Sequence, residues 1–405
     1  MVRAKYSPSR MPTRYAQPSS TAQRSAFASL NPSNSSARET VISIVSAASA
    51  GGHAMSADVS AGVPAPVLAP PSHAAISTTA SAQVAERMTA ERRRTRTSVT
   101  TGDAAGLAGA PLGSGGMAAL DRALAEMHEQ VWDDERGMVR LYGLHLVRET
   151  ALGAFLDLEH ARVARAERAL REVLRHQYSP TSDTRWAGTF KTHAAQPDAG
   201  TKDSDGRTRD REWRDYDPNW RQFLGLVLWV TQKLHGHVLP DDLNDAMLRA
   251  AHDAARSEPQ GRIGERYTNV ALMHTWLQHA CGVAPDGLAT AVAAQVRGDG
   301  DIAEYNSPTY DAISLLAASL LVDFSSDGAL QELGGLVRQR IGARLATVWH
   351  HQLGVQAGPY SRAYGFDPRL YVSLVSVLMT ALGVPAAGPP RLDVNTTHVH
   401  DLYFL

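Results

Sequence analysis

Two short segments concentrate the side chains that could do chemistry. Residues 304–310 read EYNSPTY and place a carboxylate, two phenols, an amide and two hydroxyls just before an apolar stretch. Residues 358–367 read GPYSRAYGFD and add a cation, two further phenols and a second carboxylate. Burying such groups without hydrogen-bond partners is costly. Each segment is therefore either a well-capped helix start or part of a site, and we expect both to lie as loops at one rim of a helical scaffold.

The residues of these segments suggest two pairs that could act together on a substrate. Arg362 and Tyr364 are two residues apart, so an extended loop could aim both at one substrate. Glu304 and Asp367, one from each segment, are the natural carboxylate pair for glycoside hydrolysis, which needs two acids flanking the scissile bond. A simpler interpretation stays open, because Ser307-Pro308 also suits the capping and first positions of a helix.

The elements that must position these segments are predicted to be helices. Apolar residues recur at spacings of three and four from residue 117 to residue 382, whereas no Asn-Gly turn and no sustained alternation indicate strands. The interval 181–218 is polar and predicts a long loop. Nine or ten helices joined by alternately short and long loops favour a ring of helical hairpins over a four-helix bundle. The predicted helices cover residues 117–131, 139–158, 160–177, 217–235, 241–257, 269–282, 285–297, 309–324, 327–351 and 368–382.

Composition divides the chain into three parts. Residues 1–112 are rich in Ser, Ala, Thr, Pro and Gly and poor in aromatics, which predicts a disordered region because little apolar surface is available for burial. Residues 113–388 are predicted to form one all-α domain. Residues 389–405 are predicted to be an extended tail.

Global features exclude several classes of function. A net charge of −1 gives no indication of nucleic-acid binding, and the single cysteine, Cys281, rules out an intrachain disulfide. No apolar run is long enough to span a membrane. A signal-peptide pattern is missing, so the location stays open, with cytoplasmic or organellar as the default. The spacings of His235 with His237 and of His398 with His400 are only weak metal patterns, and no phosphate-binding motif occurs, so we expect no metal and no cofactor.

Four segments at predicted helix starts carry a resemblance to a known group of proteins. They are residues 216–221 (YDPNWR), 267–273 (YTNVALM), 304–310 and 358–367. In this order they resemble the (α/α) toroid domains of polysaccharide lyases and toroid glycoside hydrolases. More narrowly, they are similar to a group of bacterial and fungal toroid proteins of unsettled activity. The resemblance covers roughly residues 120–385.

This resemblance implies a cleft at one rim of the ring and assigns roles to individual residues. A lyase must neutralise the uronate carboxylate, remove the C5 proton and protonate the leaving oxygen. The implied neutralising groups are Asn269, Asn306 and Arg362, and the implied proton-transfer groups are Tyr310, Tyr364 and His274. Aromatic residues near the implied cleft could stack on sugar rings. These are Trp213, Trp220, Tyr305 and Tyr360.

The resulting prediction is β-elimination on a uronate-containing polysaccharide or oligosaccharide. One alternative is a glycoside hydrolase that uses Glu304 and Asp367. Another is a helical binding or scaffold protein without turnover, or a truncated, inactive homologue, since toroid lyases often carry a β-sandwich after the ring. The sequence leaves the sugar, the linkage and the oligomeric state open.

Overall fold

The protein is mostly helical in the part of the chain that the structure describes. A computed structural model describes residues 116–181, 184–364, 373–384, 392–395 and 398–405. The predicted disordered region 1–112 and Asp367 lie outside these residues. Ten α-helices occur within them: α1 Gly116–Glu129, α2 Val147–Glu159, α3 Val163–Arg175, α4 Trp220–His235, α5 Asp241–Arg256, α6 Thr268–Cys281, α7 Leu288–Asp299, α8 Tyr310–Phe324, α9 Gly328–Val348 and α10 Leu374–Ala381.

Short strands interrupt the predicted all-α pattern. An antiparallel sheet has the order β1 (Trp132–Asp133), β2 (Met138–Leu141) and β3 (Leu144–Leu146), and a hairpin joins β4 (Trp349–His350) to β5 (Val355–Gln356). The prediction of helix over residues 139–146 and 349–351 was therefore wrong.

The β2–β3 hairpin explains the first of these errors. Leu141 pairs with Leu144, so only Tyr142 and Gly143 form the turn, with φ angles of +53° and +76°. Two positive φ angles suit the tight turn that matches strand twist. A Tyr-Gly pair is a weaker turn signal than Asn-Gly, and the apolar residues of both strands also fit a helical spacing.

Five helices, α2, α4, α6, α8 and α10, are buried on most of their surface and are called the inner helices below. Twelve of the 13 residues of α2, eleven of the 14 of α6 and seven of the eight of α10 are buried. Helices α3, α5, α7 and α9 instead bury one face, as in α3, where four of 13 residues are buried. A helix that is apolar all round belongs in a core, whereas an amphipathic helix covers it.

Inner and outer helices alternate along the chain. Each of α2, α4, α6 and α8 packs against the next helix as a hairpin, and α2, α4, α6, α8 and α10 pack against one another in succession. Helix α1 packs against α10. The described residues form part of one contact unit. No described helix has both the length and the apolar character that crossing a bilayer requires.

The last residues differ from the predicted extended tail. Val399–Tyr403 forms a 3-10 helix that packs against α2, and Phe404 meets Phe155 at 4.8 Å between ring centroids. Residues 399–405 are buried. Apolar and aromatic side chains dominate this segment, so burying it against α2 removes much apolar surface from water.

Candidate functional site

The first residues of α2, α4 and α6 meet at one end of the helical unit. Arg148, the second residue of α2, lies over the ring of Trp220, the first residue of α4, at 5.9 Å. Asn219 precedes α4, and its Nδ2 donates to the hydroxyl of Tyr267, which precedes α6, at 2.7 Å. These contacts show that three inner helices begin on the same side.

Helix α8 and the loop that carries Arg362 join the same end. Glu304 accepts hydrogen bonds from the main-chain N–H of Asn269 (3.0 Å) and from Arg362 (3.2 Å). The Arg362 guanidinium lies over the ring of Tyr310 at 4.4 Å, and Ser307 Oγ donates to the Arg362 carbonyl. Four helix N-termini thus meet here, and their dipoles favour a bound anion.

A pair of tyrosines forms the centre of this cluster. The hydroxyls of Tyr310 and Tyr364 share a hydrogen bond, and an Arg362 nitrogen lies 3.4 Å from the Tyr364 hydroxyl. Tyr310 is buried, whereas Tyr364 is 38% exposed. Burial, and secondarily Tyr364, raises the pKa of Tyr310 well above its ordinary value although Arg362 opposes the shift. Tyr310 is therefore a protonated donor at neutral pH, and Tyr364 is the phenol that a ligand can reach.

A histidine–aspartate pair completes the cluster on its buried side. His398 Nδ1 lies 2.7 Å from an Asp401 oxygen, and its Nε2 lies 3.4 Å from the Tyr310 hydroxyl. A carboxylate only accepts, so Nδ1 carries the proton and the Nε2 lone pair faces Tyr310. Burial lowers the pKa of His398, while Asp401 opposes the shift. The ring is therefore neutral at neutral pH and can accept a proton.

Arg148 keeps Asp401 ionised. Its guanidinium lies 4.0 Å from Asp401 and 2.8 Å from Glu149, and its side chain is 9% exposed. Burial alone would raise the pKa of Asp401, but Arg148 and the His398 hydrogen bond lower it below its ordinary value. The pair His398–Asp401 is thus held in one protonation arrangement by a buried cation.

Sequence reasoning missed Arg148, Tyr267, His398 and Asp401 as site residues. The available signal for the pair was its spacing: three residues place His398 and Asp401 on one face of a helical turn. His398 also has φ +67°, and Asn306 has φ +52°. Non-glycine residues adopt this region uncommonly and often near functional sites. Arg148 and His398 are 250 positions apart, so no local pattern links them.

Asn269 and Asn306, the two predicted neutralising amides, use their side chains for hydrogen bonds within the protein. Asn306 Nδ2 donates to the carbonyls of Ala357 and Pro359, and its Oδ1 accepts from Gln356. Its amide therefore holds the 356–360 loop. Asn269 is 1% exposed, and its Oδ1 accepts from the next N–H in the chain. Asn269 meets the cluster only through its main-chain N–H to Glu304.

His274 belongs to a second buried cluster. Its ring nitrogens lie 3.4 Å from Gln222 and 3.6 Å from Asp286. Burial lowers the pKa of His274, although Glu258 and Asp286 oppose the shift. No contact among the described residues joins its ring to Tyr310 or Tyr364, so the structure separates His274 from the two tyrosines with which it was grouped.

The four predicted sugar-stacking residues lie in different parts of the protein, and Trp220 is in contact with the cluster. Trp220 lies against Arg148 in the cluster. The Tyr360 hydroxyl donates to the Gln356 carbonyl at 2.7 Å, and Tyr305 is 44% exposed beside Glu304 in the chain. Trp213 lies in the long 184–218 segment, where its main-chain N–H donates to Tyr216. Within the described ranges, no group of three or more His, Cys, Asp or Glu side chains is arranged to hold a metal.

A buried polar network supports the loop that carries Arg362. Asp311 is fully buried and accepts from Arg344 (2.8 Å) and from Gln356 (3.0 Å), and Gln356 also donates to Asn306. Burial raises the pKa of Asp311 to about 6, although Arg344 and Gln356 oppose the shift. The folded protein therefore holds a proton on Asp311 more tightly than the unfolded chain does.

This shift predicts a pH dependence of stability. Because the folded pKa is raised, the stabilisation from protonating Asp311 is full below pH 3.8 and is lost as pH rises through about 6. We expect the unfolding free energy of the wild type, minus that of Asp311→Asn, to fall by about 2.5 kcal/mol between about pH 4 and pH 7. Urea unfolding at several pH values measures this difference. A difference that is constant or rises with pH would contradict the prediction.

Comparison with known proteins places this site within one family domain. The model of a family described as "Domain of unknown function (DUF8769)" matches residues 119–405. Searches of curated proteins and of solved structures each found no match. The matched range includes every residue of the cluster described above, from Arg148 to Asp401.

Proposed function

The chain belongs to the DUF8769 family, a domain of unknown function, and from that premise we propose that it cleaves a uronate-containing polysaccharide by β-elimination. The observation that carries the proposal is the convergence of Arg362, Tyr364, Tyr310 and His398 at the inner-helix N-termini. These groups match the three requirements of the reaction: a cation for the carboxylate, a proton acceptor and a proton donor.

We also propose that the helices form an (α/α) toroid. Four hairpins, α2/α3, α4/α5, α6/α7 and α8/α9, present one buried and one amphipathic helix each, and the buried helices follow one another in space. The contact of α1 with α10 supports a fifth pair. In such a ring the inner-helix N-termini share one rim, which agrees with the position of the cluster.

The proposed reaction uses the tyrosine pair as a proton relay. Arg362 pairs with the uronate carboxylate and so acidifies the C5 proton. The Tyr364 oxygen takes that proton while its own hydroxyl proton passes to Tyr310 and the Tyr310 proton passes to His398 Nε2. The electrons of the C5–H bond form the C4–C5 double bond, and the C4–O bond breaks. The relay then runs in reverse, and Tyr364 delivers the proton to the leaving oxygen.

Hydrolysis is a second candidate because of the environment of Glu304. Burial raises the pKa of this carboxyl, although the Asn269 N–H and Arg362 oppose the shift. A raised pKa suits a general acid. The hydrogen bond from Arg362 is the opposing observation, because it holds the carboxylate form. Asp367, the predicted second carboxylate, lies outside the described residues.

Ultraviolet absorbance with a panel of polyuronates tests the proposal. The purified chain is expected to produce an absorbance rise, from the unsaturated product, on at least one member of a panel of alginate, pectate and glycosaminoglycans. Because Arg362→Ala removes the cation and Tyr364→Phe the relay hydroxyl, each should lower the rate by about 100-fold or more. Arg256→Ala, on the exposed face of α5, is the matched control that should leave the rate unchanged.

Other outcomes assign the alternatives. New reducing ends from neutral glycans without absorbance, abolished by Glu304→Gln, would replace the lyase proposal with a hydrolase. Binding of a polysaccharide without either product would support a scaffold protein that retains the site surface.

A further inference from the structure

A buried ion pair fixes the orientation of Asn219. Arg262 donates to both oxygens of Glu258, at 2.9 Å for one of them, and its Nη1 donates to Asn219 Oδ1 at 2.9 Å. A guanidinium has donors only, so the atom of Asn219 that faces Arg262 must be the oxygen. The amide nitrogen of Asn219 therefore points the other way.

The fixed amide in turn fixes the direction of the hydrogen bond to Tyr267. Asn219 Nδ2 lies 2.7 Å from the Tyr267 hydroxyl and must be the donor, so the Tyr267 oxygen is the acceptor. The hydrogen of that hydroxyl remains available, and none of the described residues accepts it. Burial raises the pKa of Tyr267, so this hydrogen is retained at neutral pH.

Tyr267 lies beside Arg362, the residue to which the proposed function assigns the substrate carboxylate. Its side chain is half-buried at the start of α6, and the Arg362 guanidinium lies 5.9 Å from its ring centroid. A hydroxyl that accepts from a fixed amide and keeps a free hydrogen is a preorganised donor for a negatively charged oxygen. Arg362 supplies the matching positive charge beside it.

We infer that Tyr267 is a substrate-binding residue whose hydroxyl donates a hydrogen bond to the carboxylate of an acidic sugar held by Arg362. The inference rests on the proposed function and deepens it by assigning a carboxylate-recognition role to Tyr267. In this assignment Asn219 and Arg262 are positioning residues, since they act on the substrate only through Tyr267.

Two variants test the hydrogen-bond direction independently. Tyr267→Phe removes the hydroxyl. Asn219→Asp keeps an oxygen for Arg262 but replaces the amide nitrogen that faces Tyr267 by a second oxygen, which accepts the Tyr267 hydrogen. On the polyuronate that the wild type cleaves, we expect each to lower kcat/KM by about 10- to 100-fold, the usual range for a hydrogen bond to a charged group. The loss should appear mainly in KM, because the bond already forms in the bound substrate.

The double variant, Tyr267→Phe with Asn219→Asp, distinguishes an effect of the hydrogen-bond direction from an effect of the negative charge that Asn219→Asp introduces. If Asn219→Asp acts by capturing the Tyr267 hydrogen, adding it to Tyr267→Phe should cause no further loss. A further loss of similar size would show that the new charge, and not the hydrogen-bond direction, lowers activity, and would overturn the inference. Thermal midpoints of all variants are measured alongside, because a merely structural role of Tyr267 would lower the midpoint without this non-additivity.

Binding calorimetry with an acidic oligosaccharide and with its methyl ester tests whether the carboxylate is the group that Tyr267 recognises. The probe is a saturated oligomer of the cleaved polyuronate, and the comparison ligand is its methyl ester, which lacks the charge. Esterification should weaken wild-type binding, and Tyr267→Phe should reduce that difference. Equal kcat/KM and equal ester discrimination in wild type and Tyr267→Phe would refute the Tyr267 role. A wild type that cleaves no polyuronate of the panel would refute the proposed function itself.

Discussion

Replacing His398 by glutamine is expected to lower kcat by about 100- to 10,000-fold on the polyuronate that the wild type cleaves, with a smaller change in KM. The proposed relay ends on His398 Nε2, which lies 3.4 Å from the Tyr310 hydroxyl, and the glutamine amide is a far weaker base. Asp401→Asn should cause a loss within the same range, because the amide removes the charge that holds the proton on Nδ1. Initial rates from the absorbance assay measure both losses.

The pH profile distinguishes this role from a structural one. Burial lowers the pKa of His398 below 6.5, so wild-type kcat should remain level as pH falls through 6.5 and decline only at lower pH. Asp401 opposes that shift, so Asp401→Asn should move the decline to still lower pH. His252→Ala, at a half-exposed histidine on α5, serves as control. Nearly full activity of His398→Gln with an unchanged thermal midpoint would remove His398 from the relay.

Arg221→Ala is expected to give the largest loss of stability, about 3–5 kcal/mol in the free energy of unfolding. The Arg221 side chain is fully buried in α4 and donates to the carbonyls of Arg185, Ala187 and Pro218. It also lies 3.5 Å from Glu258, whose side chain is 4% exposed. Truncation leaves the carbonyls unpaired and weakens the compensation of a buried carboxylate. Urea unfolding followed by circular dichroism measures the loss.

Two further variants make this prediction specific. Arg221→Lys should recover only part of the loss, because an ammonium lacks the planar fork that reaches three carbonyls at once. Arg256→Ala, which breaks an exposed pair with Asp253, should cost less than about 1 kcal/mol. A loss below about 1 kcal/mol for Arg221→Ala would mean that the 184–218 segment does not depend on this residue.

Local sequence was sufficient for most of the helices and for part of the candidate site. Apolar spacing indicated a helix at the position of each of the ten, although two of the predicted ranges extended into strands, because the apolar residues that a helix buries recur within a few turns of its own sequence. Glu304 with Tyr310, and Arg362 with Tyr364, each lie within one short segment. Their meeting through the 3.2 Å Arg362–Glu304 contact was expected only from the placement of both segments at helix starts.

Tertiary packing decided the features that local patterns could not contain. His398 approaches Arg148 across 250 positions of sequence, and Asn219 meets Tyr267 across 48, so neither pair leaves a periodic signal. Asn306 differs in the opposite way. Its amide side chain and its segment suggested a substrate contact, but in the folded chain the amide donates to carbonyls of the loop at residues 356–360. Side-chain type determines which hydrogen bonds a residue can form, but only the relative placement of the inner helices determines which partners lie within reach.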